Sequence, residues 1–470
     1  MFNGSGPVGD VHRVGSATEL DVTPAVSCWK AARVSAGLSA LFLIVYGGCN
    51  WIAAHRAHVG SIFFEWERNI PFVPPLIPAY MSLDAFFVAA PFLCLTAREL
   101  RAYSLRIGAA VLIAGVCFLI FPLKFGFERP LAGGFLGFVF DQFREFDAPY
   151  NLVPSLHAAL LLLVADVYVR RLRGFQRYTA IVWFVLIGLS PLLTYQHHLI
   201  DIATGFALGA YCFYLFPDHD YDSLGERNAL LGFYYAAGAM MSAVAAVLLS
   251  GWSFLLLWPA AALGIVATGY WWFGASIYRK TDGSLPWSTR FVLAPCLLGQ
   301  HLSRMYYRRK CRPWDVVRPR VWIGSKLGRS DAEEALRAGV TAVLDLTAEF
   351  SEAARFRRIA YQNIPVLDLT APTQRQLQEM CEFISNQARG GIVYVHCKIG
   401  YSRSAAAIGA WLLTNGDAQS VDEAIAIIQC ARPSIVIRPE VVNALREFAS
   451  TRNSNEGETF ILASTARALA

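Results

Sequence analysis

Eight apolar stretches of near-spanning length dominate the first 274 residues, at approximately 33–54, 75–96, 106–123, 154–172, 178–195, 199–216, 229–250 and 252–274. A hydrocarbon core of ~30 Å takes about 20 apolar residues as a helix. Only helices and closed barrels satisfy their backbone groups there. This half of the chain therefore predicts a multi-span α-helical membrane bundle. Hydrophobic residues make up 55% of the sequence and charged residues 16%, too apolar for an ordinary soluble protein. The bias stops near residue 275. Residues 313–452 have the composition of a soluble α/β domain, and 276–312 link the two. The third to sixth stretches are short, and polar residues at their ends are functional candidates.

Arginine and lysine set the orientation. Arg98, Arg101 and Arg106 lie between the second and third stretches, and Arg170, Arg171, Arg173 and Arg177 between the fourth and fifth. Lys280, Arg304, Arg308, Arg309 and Lys310 follow the eighth. Even numbers of spans put all of these on the side of the N-terminus, which should be cytoplasmic. The loops after the third and fifth stretches then face outward. The polar tails 1–30 and 453–470 predict no packed structure, and the first shows no removable signal peptide. Ten cysteines without paired spacing suggest neither a disulfide framework nor a metal site, and no cofactor is expected. A net charge of +6 without a basic stripe does not suggest a nucleic-acid partner. Asp84, alone in the second stretch, reads as structurally paired. Trp287 to Tyr307 fits equally a membrane-interface segment and a packed bridging helix.

In the soluble half, an apolar run Gly391–Val395 leads into His396-Cys397-Lys398-Ile399-Gly400-Tyr401-Ser402-Arg403-Ser404, and an apolar helix follows. This places Cys397 at a strand-to-helix turn. Backbone N–H groups and the helix N-terminus there favour an anion and lower a thiol pKa. Arg403 can grip two phosphoryl oxygens with its planar fork, and Gly400 permits close backbone approach. Asp368, ending the run Ile364–Asp368 before Pro372, is the candidate general acid. Asp345, in an earlier strand, reads as structural. Ser330-Asp-Ala-Glu-Glu334 has the pattern of a capping box.

The Cys-x5-Arg-Ser stretch resembles the cysteine-dependent dual-specificity phosphatases. The resemblance implies that Cys397 attacks phosphorus, that Arg403 binds phosphate with Lys398, Gly400, Ser402 and Ser404, and that Ser404 helps the thiolate leave.

The outward ends of the apolar stretches carry a second constellation. Asn151-Leu-Val-Pro-Ser155-Leu-His157 opens the fourth, Gln196-His197-His198-Leu-Ile-Asp201 opens the sixth, and Lys124 and Arg129 follow the third. His197 and Asp201, four apart, share one helix face, so a carboxylate can orient the imidazole. His198 reads as a lipid-interface residue. These motifs resemble the type-2 phosphatidic acid phosphatase superfamily. By that resemblance His197 is the nucleophile, Asp201 orients it, His157 protonates the leaving group, and Ser155, Lys124 and Arg129 hold phosphate. Two departures stand out. Four residues rather than six separate Lys124 from Arg129, and Pro191 stands where the family has an arginine. The third motif is closer to the inositolphosphoryl-ceramide and sphingomyelin synthase branch.

The whole then resembles bacterial inner-membrane fusions of the two phosphatase types. This predicts a multi-span bundle followed by a cytoplasmic α/β dual-specificity phosphatase domain, and the leading expectation is a membrane phosphatase acting on phospholipid phosphates. The rival readings are an anchored protein tyrosine phosphatase with a degenerate membrane domain, a lipid head-group transferase with a regulatory phosphatase domain, and a non-enzymatic binder of phosphorylated lipid.

Overall fold

A computed structural model describes residues 25–130, 134, 150–219, 221, 225–249 and 251–452. Most of both polar tails lies outside the described residues. The chain divides into two compact units, 1–218 and 219–470.

The first unit packs six described helices: α1 (Cys28–Ala54), α2 (Ile77–Leu93), α3 (Ala97–Ile120), α4 (Leu156–Arg171), α5 (Gly174–Leu193) and α6 (Leu199–Leu215). Among the described residues, six apolar helical stretches across the two units are long enough to cross a membrane, and Leu199–Leu215 is a shorter one. The third and fifth stretches are full length, contrary to expectation. The fourth and sixth are the short ones, and they pack on each other at Gly205, where a Cβ would come 2.2 Å from the Ser155 carbonyl oxygen. Only glycine allows that approach. Capping sets the helix starts. Thr96 and Glu99 form a capping box on α3, and Glu99 also pairs with Arg171 at the far end of α4. Arg106 and Arg170 grip Asp218 at 2.9 and 2.8 Å. Several of the arginines that set the orientation are thus spent on ion pairs that fasten one end of the bundle. Asp84 is exposed on α2 and engages a partner.

The second unit opens with α7 (Ala229–Leu248) and α8 (Leu257–Thr268), which continues through a π-helical turn, Gly269–Phe273. Then come α9 (Trp287–Val292) and α10 (Ala294–Arg308). The α/β domain follows as β1 (Trp314–Arg318), β2 (Val321–Ser325), α11 (Arg329–Arg337), β3 (Val340–Thr347), β4 (Ala360–Val366), α12 (Gln374–Ala388), β5 (Ile392–Cys397), α13 (Ser402–Asn415) and α14 (Val421–Ala431). A last helix covers 439–452. The sheet order is β1-β2-β5-β3-β4, with β1 antiparallel and the rest parallel.

Alternation along the strands feeds two cores, as a pleated strand buried on both faces requires. Val393 and Val395 join Leu377, Ile408 and Leu412 on one face. Tyr394 joins Trp322, Ala335 and Phe356 on the other. Helix α11 starts two residues earlier than the Ser330 capping box implies, with Gly328 as N-cap and no side-chain cap bond. Ser330 therefore lies within the first turn.

The division at 218/219 puts the last apolar helix pair with the α/β domain, whereas the composition shift falls near 275. The reason is specific. Lys280, just past α8, is buried on the sheet and donates to Asp345 Oδ2 at 2.6 Å and to the Thr347 carbonyl at 2.7 Å. Tyr270 Oη donates to the Asp368 carbonyl at 2.9 Å.

Candidate active site

Strand β5 sits centrally, paired with β2 and β3, so Cys397 emerges at the C-terminal edge of the parallel strands. The loop then turns into the N-terminus of α13. Gly400 has φ +78, and a Cβ there would come 2.4 Å from the Gly324 carbonyl oxygen; only glycine lets the loop close so tightly. Cys397 is 3% exposed. Burial alone would push its thiol up. Arg403, the Ser404 hydroxyl and the backbone N–H groups of Ser404 and Ile399 outweigh that and hold its pKa below the ordinary thiol value. The Ser404 hydroxyl has no other hydrogen-bond partner within normal length.

Arg403 is buried. Its Nη1 and Nη2 take Glu349 at 3.1 and 2.8 Å, and Nη1 also donates to the Val366 carbonyl at 2.9 Å. Nη2 reaches Asp368 Oδ1 at 3.1 Å. The other oxygen of Asp368 takes Lys398 Nζ at 2.6 Å, and Lys398 also donates to Gln300 Oε1 at 2.7 Å. Asp368 thus lies between the two cations of the cysteine loop. Burial opposes its ionisation, but Arg403 and Lys398 hold it below the usual carboxylate range. The next residue, Leu369, has φ +62, a left-handed conformation that costs a non-glycine residue about 1–3 kcal/mol.

Ser402 has a second task. Its hydroxyl donates to the Val436 carbonyl at 2.9 Å and accepts from the Arg438 N–H at 3.0 Å. That side chain ties the loop to the 434–438 turn, which leaves only its backbone N–H for phosphate. Asp345 is completely buried. It accepts from Lys280, Tyr361 Oη (2.8 Å), the Thr347 N–H (2.8 Å) and the Thr347 hydroxyl (2.7 Å). With both oxygens saturated it is a structural carboxylate. Burial opposes its charge, but Lys280 and His396 hold its pKa well below the usual range.

Sequence reasoning missed Glu349, Glu352 and Gln300. Glu349 had one legible signal, an acid two residues past the end of β3. Asp345, Glu352 and His396 converge closely enough to hold a metal ion. Lys280 and Lys326 already sit on the two carboxylates at 2.6 and 2.8 Å, and His396 Nε2 lies 2.7 Å from Glu352 Oε2. Two ammonium groups facing two carboxylates make this a neutralised network that a cation would have to disrupt.

The description "Dual specificity phosphatase, catalytic domain" matches residues 321–451. "Dual specificity phosphatase 28" of Mus musculus is 31% identical over 123 residues, covering 26% of this chain and 74% of that protein. The chain belongs to the dual-specificity phosphatases. Its α/β domain is accordingly that of a phosphoric monoester hydrolase. "Phosphatidylglycerophosphatase and protein-tyrosine phosphatase 1" of Homo sapiens is 29% identical over 190 residues, covering 37% of this chain and 94% of that protein. "Dual specificity protein phosphatase 19" of Mus musculus is 30% identical over 145 residues, 30% of this chain, which spans 65% of that protein's length.

In the helical unit of the phosphatase, Ser155 caps α4, and its backbone N–H donates to the Asp201 carbonyl at 2.9 Å. The two helix N-termini are thereby tied together. His157 stacks on Tyr80 at 4.2 Å, with Nε2 buried and unpartnered. His197 Nδ1 is 3.4 Å from Asp201 Oδ2 and makes no aligned hydrogen bond. Asp201 Oδ2 instead accepts from the His198 N–H at 2.8 Å, closing a capping box on α6.

His198 is not a lipid-interface residue. It is completely buried, stacked on Phe125 at 4.2 Å, and bonded through Nδ1 to Glu67 at 2.9 Å. The Gly126 N–H donates to its Nε2 at 3.0 Å. A backbone N–H can only donate, so Nε2 is the acceptor and Nδ1 carries the proton. Gly126 lies between Lys124 and Arg129, so His198 anchors that loop. Arg129 lies over the Phe125 ring at 5.0 Å. The structure thus gathers Ser155, His197 and Asp201 at the start of α4 and α6, and wraps the 124–129 loop onto His198.

Proposed function

We propose that the cysteine site hydrolyses a phosphomonoester on a membrane phospholipid. The observation that carries this reading is the hydrogen bond from Tyr270 to the Asp368 carbonyl. Tyr270 belongs to a membrane-length apolar stretch, Gly251–Tyr278, and Asp368 is the candidate acid. The catalytic loop is therefore built against the root of a hairpin suited to a bilayer. Lys398, directly after the nucleophile, adds a charge suited to an acidic head group. The likeness to a human phosphatidylglycerophosphatase supports phosphatidylglycerol phosphate as the substrate, with an inositol lipid phosphate as the alternative head group.

In this mechanism the substrate dianion takes over Arg403, which Glu349 keeps in place. Asp368 then loses cationic partners beside a new negative charge and takes up a proton. The Cys397 thiolate attacks phosphorus. The S–P bond forms as the P–O bond breaks, and Asp368 protonates the leaving oxygen. Asp368, again a carboxylate, deprotonates the water that cleaves the cysteinyl phosphate. Ser404 stabilises the departing thiolate. Phosphate release from vesicles containing phosphatidylglycerol phosphate or inositol lipid phosphates, measured against phosphotyrosyl peptides, tests the reading. Turnover of peptides but not lipids would make this an anchored protein phosphatase.

For the helical unit we propose a second phosphoryl-transfer site with His197 as nucleophile, supported by its position beside Asp201 and by the adjoining helix N-termini. Product analysis with an added alcohol acceptor separates hydrolysis from head-group transfer. The arginine placement supports a cytoplasmic N-terminus and phosphatase domain. A membrane-impermeant thiol reagent should then miss Cys397 in intact cells and label a cysteine introduced at position 196.

A further inference from the structure

Helix α10 is inside out for a helix in water. Gln300, Arg304 and Arg308, at i, i+4 and i+8, share one face, and that face meets the α/β domain. Gln300 accepts from Lys398, Arg304 Nη1 donates to the Lys326 carbonyl at 3.1 Å, and Arg308 pairs with Asp331 at 2.6 Å. The opposite face presents Leu298, Leu302, Met305 and Tyr306, which are 59, 57, 44 and 57% exposed. These fall at i, i+4, i+7 and i+8, one stripe. Trp287 and Phe291, 49 and 36% exposed, extend the apolar surface onto α9. An amphipathic helix in water hides its apolar face; this one displays it.

Two further observations say what covers that face. The segment 287–312 carries six arginines and lysines and no acidic residue, the charge of a surface that meets anionic lipid. It also continues from the apolar hairpin of the same unit. Trp258 of α8 donates to the Phe291 carbonyl at 3.1 Å and stacks on its ring at 5.2 Å, and the hairpin itself exposes Leu230, Phe233, Met241 and Val247.

We infer that α9 and α10 lie in the bilayer interface, with the Leu298–Tyr306 stripe among the acyl chains of an anionic membrane. Gln300, on the other side of the same helix, touches Lys398 of the cysteine loop. A helix is about 10 Å across, so the catalytic pocket lies roughly one helix diameter from the lipid. A head-group phosphate can then enter without the lipid leaving the bilayer. This last step rests on the lipid-phosphatase reading above; the surface itself does not.

The test uses the full chain in vesicles containing phosphatidylglycerol. A nitroxide on Leu302→Cys should collide with oxygen in preference to a water-soluble nickel chelate. A nickel preference would overturn the surface. Leu298→Ser/Leu302→Ser should slow hydrolysis of vesicle-borne lipid phosphate about tenfold or more, while a soluble aryl phosphate is turned over within about twofold of the parent rate. Equal loss on both substrates would mean that the stripe serves only folding, and would also overturn the surface. Oxygen preference in an enzyme that cleaves phosphopeptides but no lipid phosphate would keep the surface and sink the substrate reading.

Discussion

The cysteine site and the histidine cluster were both legible as motifs, and the structure treats them differently. Around Cys397 the charges have come to a working balance. Arg403 is pinned by Glu349, its remaining reach goes to Asp368, and Lys398 closes the circle. Around His197 the polar groups have gone into architecture. Asp201 caps α6 and ties down α4, while His198 is saturated by Glu67 and Gly126. His157 Nε2 and His197 Nδ1 are left buried without partners. A motif names the residues that can do chemistry; packing decides how many remain free to do it.

Five experiments press on that contrast. Cys397→Ser should lower aryl phosphate hydrolysis by ~10⁴-fold or more, because a serine hydroxyl beside Arg403 stays protonated. Activity at the parent level would remove the cysteine site altogether. Asp368→Asn should slow substrates with poor leaving groups by roughly 10²–10⁴-fold. It should also flatten the alkaline limb of the pH–rate profile. That limb reports a group that must hold a proton, so activity falls as pH rises through the pKa of Asp368 in the complex. The acid limb reports the Cys397 thiol, which must have lost its proton, and should survive. Lys280→Met should destabilise the second unit by about 3–5 kcal/mol in denaturant melts, because it strands Asp345 as a buried unpaired charge. A neutral result would mean that the hairpin and the sheet are independent. Glu67→Gln should cost the helical unit about 1–3 kcal/mol through the lost charge-assisted bond to His198, read as a lowered Tm. Smallest of all, His197→Ala should leave aryl phosphate turnover within about twofold of the parent while removing any acid-labile histidyl phosphate. Joint loss of both activities in a folded protein would erase the contrast by making the two clusters one site.

Periodicity carried much of the fold. The helices formed where apolar runs of spanning length stood, and β5 formed where the apolar run Gly391–Val395 stood. Strand β1 was not legible, because Trp314-Asp-Val-Val-Arg is a short edge strand with charges at alternate ends. The unit boundary was not legible either. Helices α7 and α8 have the same composition as the other spans, and only Tyr270 and Lys280 reveal which unit they serve. In the cysteine site, Cys397 and Arg403 were readable because the loop is contiguous. Glu349 was not, since it meets Arg403 across 54 residues of chain. The tie from the Ser402 hydroxyl to Val436 and Arg438 was not legible, because the motif does not show that this turn folds back onto the loop. His198 was read as a surface group because its partner, Glu67, lies 131 residues away.

The position of Asp368 has a consequence for the end of the catalytic cycle. In the proposed mechanism, once water has cleaved the cysteinyl phosphate, inorganic phosphate rests on Arg403 with the Asp368 carboxylate beside it. That carboxylate is a tethered anion with its own claim on Arg403 and Lys398, and its tether gives it a high effective concentration. The empty pocket is therefore already held by a competitor. Retained product must displace it, whereas a substrate can offset the same cost with contacts from the rest of its head group. The acid that helps the leaving group depart is also placed to expel the phosphate left behind.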